Sequence, residues 1–135
     1  MRDLGLPANW APRLLSILRI VAALLFMAHG LQKLVGFPPS PMPPPEAFTF
    51  MWFGGVLEAV GGFLLLIGLF SRPVAFVLSG EMAVAYWMFH APESLYPAVN
   101  GGDAAILYCF IFLYIAAVGP GPWSVDAMRS RGTGA

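Results

Sequence analysis

The sequence predicts an all-α membrane protein folded as a bundle of four transmembrane helices. Of its 135 residues, 59% are hydrophobic and 10% are charged, whereas an ordinary soluble domain has about 25% charged residues. Four apolar stretches, at residues 14–35, 50–69, 73–90 and 103–118, approach the ~20 residues that a helix needs to cross a bilayer. This pattern excludes a cytosolic globular protein and predicts one membrane domain over residues 1–135.

The first apolar stretch is too long for the core of a secretory signal peptide, and Lys33 stands where a cleavage site would begin. We therefore expect this stretch to be retained as the first transmembrane helix. The last two stretches are short, so their helices must extend into flanking residues to cross the bilayer.

Proline and glycine mark the connections between the predicted helices. Six of the thirteen prolines lie between Gly36 and Glu46, so residues 36–49 are expected to form an extended loop. At the second connection, Ser71 is the predicted N-cap of the third helix, and Pro73 suits the first helical position. The third connection and the tail after the fourth helix are likewise interrupted by Pro and Gly.

The basic residues predict the orientation of the bundle. The end that carries both termini and the second connection has five arginines, whereas Lys33 lies at the opposite end. Because cytoplasmic loops of membrane proteins are enriched in Lys and Arg, both termini are predicted to be cytoplasmic and the proline-rich loop external. The five arginines are Arg2, Arg13, Arg72, Arg129 and Arg131.

Polar residues inside the predicted helices form the candidate site. A charge at the centre of a membrane helix costs at least about 2.5 kcal/mol unless it is paired or solvated. His29 and Lys33 are four residues apart and share one face of the first helix, and Arg19 projects near that face. Glu58 lies on a glycine-rich face of the second helix, where small residues let helices approach closely. The candidate residues are Arg19, His29, Lys33, Glu58 and Glu81.

These positions predict two arrangements. Arg19 and Glu58 are expected to pair inside the bundle, because each charge is otherwise costly in hydrocarbon. His29 and Lys33 are expected to form the cationic edge of a pocket whose floor includes Glu58, suited to a quinone headgroup or a small anion.

Each residue also has a purely structural interpretation. The Arg19–Glu58 pair can serve only to hold two helices together, and Glu81 can be a neutral carboxyl that donates one hydrogen bond to a backbone carbonyl. Lys33 can extend to the outer headgroups. His90 is predicted at the outer interface on the face opposite Glu81, so these two residues are not expected to share a site.

Two polar residues before the fourth helix, Asn100 and Asp103, are candidates for the mouth of the site. Asp103 is equally typical of a helix start, where the helix dipole favours an acid. The single cysteine, Cys109, excludes an intramolecular disulfide and a Cys-rich metal centre, and no metal site is predicted. Seven basic residues balance seven acidic ones, so no basic excess exists for binding nucleic acid.

Several segments together resemble the DoxX family of small bacterial membrane proteins. Their order and spacing carry the resemblance, which covers residues 13–126. Family members often have Glu where Asp103 stands, a difference that keeps the charge. The segments are Arg19 with HGLQKLVGF (29–37), GGVLEAVGGFLLLIGLFSRP (54–73), SGEMAVAYWMFH (79–90), NGGD (100–103) and GPGPWSVD (119–126).

The resemblance implies a four-helix protein of the bacterial inner membrane that is associated with redox chemistry. Relatives are connected with sulfur compounds, oxidative stress and soluble partner proteins. We therefore expect the polar cluster to serve a quinone or a small sulfur-containing substrate, with no covalently bound cofactor. The expected contacts are membrane lipid, a soluble redox or sulfurtransferase-type partner and a second copy of the chain. Because the sequence has no electron-carrier motif, the electrons would come from such a partner or from the substrate.

Three rival functions stay open at this point. A small-solute transporter or permease would line a translocation path with the same charges. A membrane scaffold would recruit redox enzymes through Arg72 and the GPGPWSVD segment. Binding of haem b by His29 and His90 is a further alternative, which an absorption spectrum distinguishes from the others.

Overall fold

The computed structural model describes residue 5 and residues 7–133, so Arg2 lies outside the described residues. The described chain is helical and contains no β-strand, which confirms the all-α prediction. A π-helical segment, Tyr86–His90, continues the third helix. The described residues form six α-helices, which are α1 (Trp10–Val35), α2 (Phe50–Ile67), α3 (Ser71–Ala85), α4 (Pro97–Asn100), α5 (Asp103–Val118) and α6 (Val125–Thr133).

Two helices of the described chain, α1 and α2, are each long and apolar enough to cross a membrane, as judged by length and composition. The apolar helix α5 has 16 residues and is shorter. The predicted second span, 50–69, ends early at Ile67, because Gly68 takes a left-handed conformation with φ 73°. The predicted third span, 73–90, is α-helical only as far as Ala85 and then becomes π-helical.

Large apolar side chains lie on the outside of the helices. Leu25, Phe63 and Phe110 are each more than half exposed. An apolar surface of this extent is unfavourable in water and is expected where the surrounding solvent is lipid. The fully buried interior is small by comparison, and its largest apolar members are Phe26, Phe112, Leu65, Leu78 and Ile115.

Helices α1 and α2 pack against each other through glycines. A Cβ at Gly30 would lie 2.8 Å from the Gly55 carbonyl oxygen and 2.9 Å from Ala59 Cα, and a Cβ at Gly62 would lie 2.9 Å from Met27 Cβ. Glycine alone lets the two backbones approach this closely, as in other membrane helix pairs with small residues at the contact. Because residue 30 faces residue 59 and residue 27 faces residue 62, the two helices are antiparallel.

Helices α3 and α5 form the second packed pair. The Ser79 hydroxyl donates a hydrogen bond of 2.7 Å to the Cys109 carbonyl oxygen and lies 3.5 Å from Cys109 Sγ. Leu78 of α3 and Phe112 of α5 are fully buried in the same core. A hydroxyl that bonds across two helices stabilises their contact in a membrane.

The segment after α5 returns to the start of α3 and caps it. The Asp126 carboxylate accepts hydrogen bonds from the backbone N–H of Phe70 (2.9 Å) and of Ser71 (2.8 Å). The prediction of Ser71 as N-cap is therefore wrong, since Ser71 is already helical, and Pro73 is the third residue of the helix. The N-cap residue is Phe70, with φ 51°. The carboxylate that accepts from the first N–H groups of the helix belongs to Asp126, 55 residues after Ser71.

Asp126 also has a shifted pKa. Burial alone would raise the pKa of this carboxyl, but the hydrogen bonds from Ser71 and Phe70 and the charge of Arg129 outweigh burial and lower it. The carboxylate form that caps α3 is thus the favoured one at neutral pH.

Arg19 of α1 lies at the end of the bundle where Asp126 caps α3. This residue is 1% exposed. Its guanidinium donates hydrogen bonds to the carbonyl oxygens of Leu65 (2.8 Å), Pro120 and Trp123 (2.6 Å). The Ser16 hydroxyl, one turn earlier, accepts a bond of 3.1 Å from the Trp123 N–H. Because Leu65 lies in α2 and the other two carbonyls follow α5, one side chain connects three parts of the chain.

The glycine contact between α1 and α2 makes Gly30 sensitive to substitution. We expect Gly30→Ala to lower the free energy of unfolding by about 1–3 kcal/mol, because the added methyl group would overlap the backbone of Ala59. Reversible unfolding of the purified protein in mixed detergent and SDS micelles measures this loss. Gly80→Ala is the matched control, since a Cβ there meets nothing within 4 Å. Equal losses at the two positions would contradict the close backbone contact.

Candidate functional site

A cavity of about 750 Å³ lies at the end of the bundle that carries Lys33. Residues of α1, α2, α3 and α5 form its walls, and Met42 of the proline-rich loop reaches it. Most of the wall is apolar, with aromatic and aliphatic side chains that include Phe26, Phe50, Phe53, Leu57, Phe89 and Tyr108. Four of the five predicted site residues also line it: His29, Lys33, Glu58 and Glu81.

Lys33 and Glu58 form an ion pair in the cavity wall. The Lys33 ammonium lies 2.8 and 2.9 Å from the two carboxylate oxygens of Glu58. The Glu58 side chain is 4% exposed and that of Lys33 is 27% exposed. The interpretation in which Lys33 extends to the headgroups is wrong, because pairing offsets the cost of burying the two charges and holds the ammonium inside.

Arg19 does not reach Glu58, so the predicted Arg19–Glu58 pair is wrong. The antiparallel register explains the difference, because residue 30 of α1 faces residue 59 of α2 and residue 27 faces residue 62. Arg19 therefore lies opposite the far end of α2, where it bonds to the Leu65 carbonyl. Its position among backbone carbonyls places Arg19 outside the cavity lining.

Glu81 enters the cavity from α3 and approaches α2. Its Oε1 would lie 3.6 Å from a Cβ at Gly54, so the carboxyl lies in van der Waals range of α2 at this glycine. The Glu81 carboxyl interacts electrostatically with Glu58 and Lys33 and lies close enough to Glu58 for a side-chain hydrogen bond. Within the described chain, the buried Oε2 of Glu81 has no hydrogen-bond partner. A buried carboxyl oxygen without a partner is costly, and a ligand with a polar group would satisfy it.

His29 lies beside the aromatic part of the cavity. Its ring stands edge-on to Tyr108, with centroids 6.4 Å apart and an interplanar angle of 80°. Tyr108 in turn meets Phe26 edge-on at 5.3 Å. The imidazole thus lines the same cavity as Lys33 and Glu58, as the helix geometry predicts.

His90 also lines this cavity, so the prediction that it does not share a site with Glu81 is wrong. That prediction extended α-helical geometry to residue 90, whereas Tyr86–His90 is π-helical and each of its residues turns through a smaller angle. His90 Nδ1 lies 3.0 Å from the Asn100 carbonyl oxygen, and its ring stacks on Tyr86 with centroids 6.3 Å apart.

The two predicted mouth residues lie outside the cavity lining. Asn100 is 8% exposed, and its amide donates to the Tyr86 hydroxyl (3.3 Å) while its Oδ1 accepts from the Gly102 N–H (2.8 Å). Asn100 therefore holds the turn behind His90. Asp103 is exposed and begins α5, which confirms it as a helix-start acid.

Sequence reasoning missed the apolar wall of the cavity, including Tyr108, Phe89 and Met42. Aromatic and aliphatic residues of this kind also face lipid, so residue type alone does not show which of them line the cavity. The pairing of α3 with α5 decides which of them turn inward. The one available signal is Gly54, a small residue opposite a buried carboxyl.

The cavity combines an apolar body with a polar wall that can bind a headgroup and exchange protons. An ion pair, a second carboxyl group and two imidazoles supply both donors and acceptors. Among the described residues, no group of three or more His, Cys, Asp and Glu is placed to hold a metal ion.

The fold and the cavity define a helical membrane protein with a polar site inside an apolar bundle. A model of the DoxX family matches residues 14–91, which is more than half of the chain. The chain therefore belongs to the DoxX family, a family of membrane proteins, and the resemblance carried by its motifs is confirmed.

Relatives from three bacteria match most of the chain. A protein of Haemophilus influenzae is 40% identical over 123 residues, covering 87% of this chain and 92% of its own. The uncharacterized membrane protein Rv3486 of Mycobacterium tuberculosis is 30% identical, covering 93% and 86%. The inner membrane protein YphA of Escherichia coli is 28% identical, covering 85% and 89%. No solved structure matches the chain.

The buried ion pair predicts strong coupling between its two members. We expect Lys33→Met or Glu58→Met alone to lower the free energy of unfolding by about 3–5 kcal/mol, because each leaves the other charge of the largely buried pair without its partner. The double variant should lose less than the sum of the single losses. Unfolding of detergent-solubilised protein in a double-mutant cycle measures this coupling, and additive losses would contradict the pair.

Proposed function

We propose that this DoxX-family protein binds a quinone in the cavity and supplies protons to its headgroup. The observation that supports this most directly is the unpartnered Glu81 oxygen beside the Lys33–Glu58 pair, in a cavity whose remaining wall is mostly apolar. A quinone has the matching chemistry, with a ring and tail that are apolar and two carbonyl oxygens that need hydrogen-bond donors.

The apolar wall favours a quinone over a small anion as the molecule that occupies the cavity. Aromatic rings such as Phe26, Phe53 and Tyr108 suit stacking against a flat ring. A small sulfur anion would instead meet a lysine that is already neutralised by Glu58. A sulfur compound is therefore assigned the role of electron donor in this proposal.

The reduction of a quinone to a quinol takes up two electrons and two protons. Glu81 in its protonated form can donate one proton to a headgroup oxygen, and His29 or His90 can donate or relay the other. Lys33 orients the headgroup by donating a hydrogen bond while it stays paired with Glu58. The two electrons come from a soluble redox or sulfurtransferase-type partner or from a small sulfur compound.

We further propose that the chain crosses the bacterial inner membrane four times. Helix α3 and the π-helical segment together have 20 residues, and α5 has 16 with apolar flanks, against the ~20 residues required. The inner membrane placement is supported by the Escherichia coli relative, which is an inner membrane protein.

The contacts of the C-terminal segment bear on the rival functions. A scaffold that recruits enzymes through Arg72 and GPGPWSVD needs those groups free to bind a partner. Arg72 and Trp123 are exposed, but the Arg72 guanidinium already donates to the Ala116 and Ala117 carbonyls and Asp126 caps α3. A permease needs a path through the bundle, but Arg19 lies outside the cavity and is held by carbonyls at the other end. A homo-oligomer stays a prediction.

The distribution of basic residues predicts a topology with both termini cytoplasmic. In a Cys109→Ala background, Ser40→Cys should react with a membrane-impermeant maleimide in intact cells, because the proline-rich loop is external. Gly132→Cys, on exposed α6, should react only after permeabilisation. Labelling of Gly132→Cys but not Ser40→Cys in intact cells would invert the proposed orientation.

The cavity predicts quinone binding that depends on its polar wall. The purified protein in nanodiscs should bind decylubiquinone, as measured by equilibrium partitioning of the quinone. We expect Glu81→Leu to weaken binding by about tenfold, because it removes the group that hydrogen-bonds the headgroup. Ala85→Trp, which places a bulky ring in the cavity, should abolish binding by steric exclusion.

Glu93→Leu is the matched control for this experiment, since Glu93 is exposed and lies outside the cavity lining. It should bind decylubiquinone like the parent. Parent-like binding by Ala85→Trp would show that the quinone does not occupy the cavity. Parent-like binding by well-folded Glu81→Leu would show that the carboxyl is structural. An absorption spectrum of the same sample tests the haem b alternative.

A further inference from the structure

A second cavity, of about 520 Å³, lies at the arginine-rich end of the bundle. It is bounded by the start of α1, the end of α2 and the segment that leads into α6. Its floor is apolar and its rim is basic, and neither property is used by the quinone proposal. The residues that matter here are Asn9, Arg13, Ile67, Trp123, Met128 and Arg131.

The arginines at this end divide into two groups. Arg19 and Arg72 donate to backbone carbonyls of the bundle, and Arg129 lies over the Phe70 ring at 5.4 Å. Arg13 and Arg131 differ in that both line the cavity, and Arg13 also lies over the Trp10 ring at 5.6 Å. Arg13 is half-buried and Arg131 is exposed.

The charge of the cavity favours an anion. No carboxylate is found among the described residues that line it, so two guanidinium groups face the space without an acidic residue in the same wall. Guanidinium groups bind phosphate oxygens through paired hydrogen bonds, and the Asn9 amide adds a further donor.

The cavity lies at the height of lipid headgroups. Helix α1 has 26 residues and is about 39 Å long, which exceeds the ~30 Å hydrocarbon core. Its first turns, with Arg13, therefore extend into the interface. Trp10 and Trp123 lie at the same end, as expected for the aromatic belt of a membrane protein. Below Arg13, the exposed side chains of Leu14, Ile17 and Leu18 leave an apolar surface for acyl chains.

We propose that this cavity binds the phosphate group of an anionic phospholipid such as phosphatidylglycerol. Arg13 and Arg131 hold the phosphate from α1 and α6, and the half-buried Ile67 and exposed Met128 provide apolar contacts for the glycerol and upper acyl region. Basic pockets between membrane helices recognise anionic headgroups by this chemistry. The proposal is independent of the quinone site and of the orientation of the bundle.

Native mass spectrometry of the detergent-solubilised full chain tests the proposal. Titration with phosphatidylglycerol and, separately, phosphatidylcholine of the same acyl composition should give one preferred phosphatidylglycerol site, with about tenfold tighter binding than phosphatidylcholine. The double variant Arg13→Gln, Arg131→Gln should lose this preference. Arg131→Gln alone, on the exposed face of α6, should weaken it and serves if the double variant does not fold.

Arg129→Gln is the matched control, because it removes the same charge from α6 but does not line the cavity. It should keep the preference for phosphatidylglycerol. Equal affinity of the parent for the two lipids would overturn the proposal, and so would an equal loss in Arg129→Gln. Displacement of phosphatidylglycerol by inorganic phosphate at the same concentration would overturn the assignment to a lipid and identify a soluble anion as the ligand.

Discussion

The polar wall of the large cavity depends on the direct approach of two backbones at glycines. Gly30, Gly55 and Gly62 add no side chains of their own to the contact between α1 and α2, and the close approach of the two helices brings the Lys33 ammonium to 2.8 Å from Glu58. With larger residues at the contact, the helices would separate and each charge would face apolar surroundings without its partner. The same contact sets the register, and the register decides which of the cations in α1 meets the carboxylate.

The two ends of the bundle satisfy their polar groups in different ways. At the arginine-rich end, Arg19 and Asp126 bond to backbone groups and so join segments, and the one buried side-chain oxygen without a partner among the described residues there is the Ser71 hydroxyl. At the other end, Glu81 keeps an oxygen without a partner in a cavity of about 750 Å³. The backbone bonds of Arg19 and Asp126 explain why these two residues stabilise the fold. The unsatisfied Glu81 oxygen explains why the cavity residues are the better candidates for ligand binding.

Much of the fold follows from the sequence, since apolar length and proline-rich breaks predict the helices and their order. The gathering of His29, Lys33 and Glu58 also follows, because residues four apart share a helix face and a glycine-rich face points inward. The partner of Arg19 does not follow, because it depends on the register between α1 and α2. The sequence also does not predict that His90 lines the cavity, because local hydropathy gives no sign of the π-helical turn at Tyr86–His90.

The hydrogen bonds of Arg19 have a consequence for biosynthesis. Two of its three acceptors lie 101 and 104 residues later in the chain. At a synthesis rate of about 5–20 residues per second, α1 is made on the order of ten seconds before these carbonyls exist. During that interval the guanidinium must be accommodated by water, by lipid headgroups or by the insertion machinery. Helix α1 therefore reaches its final packing late, when the GPGPW segment folds back onto the end of the bundle and supplies these carbonyl groups.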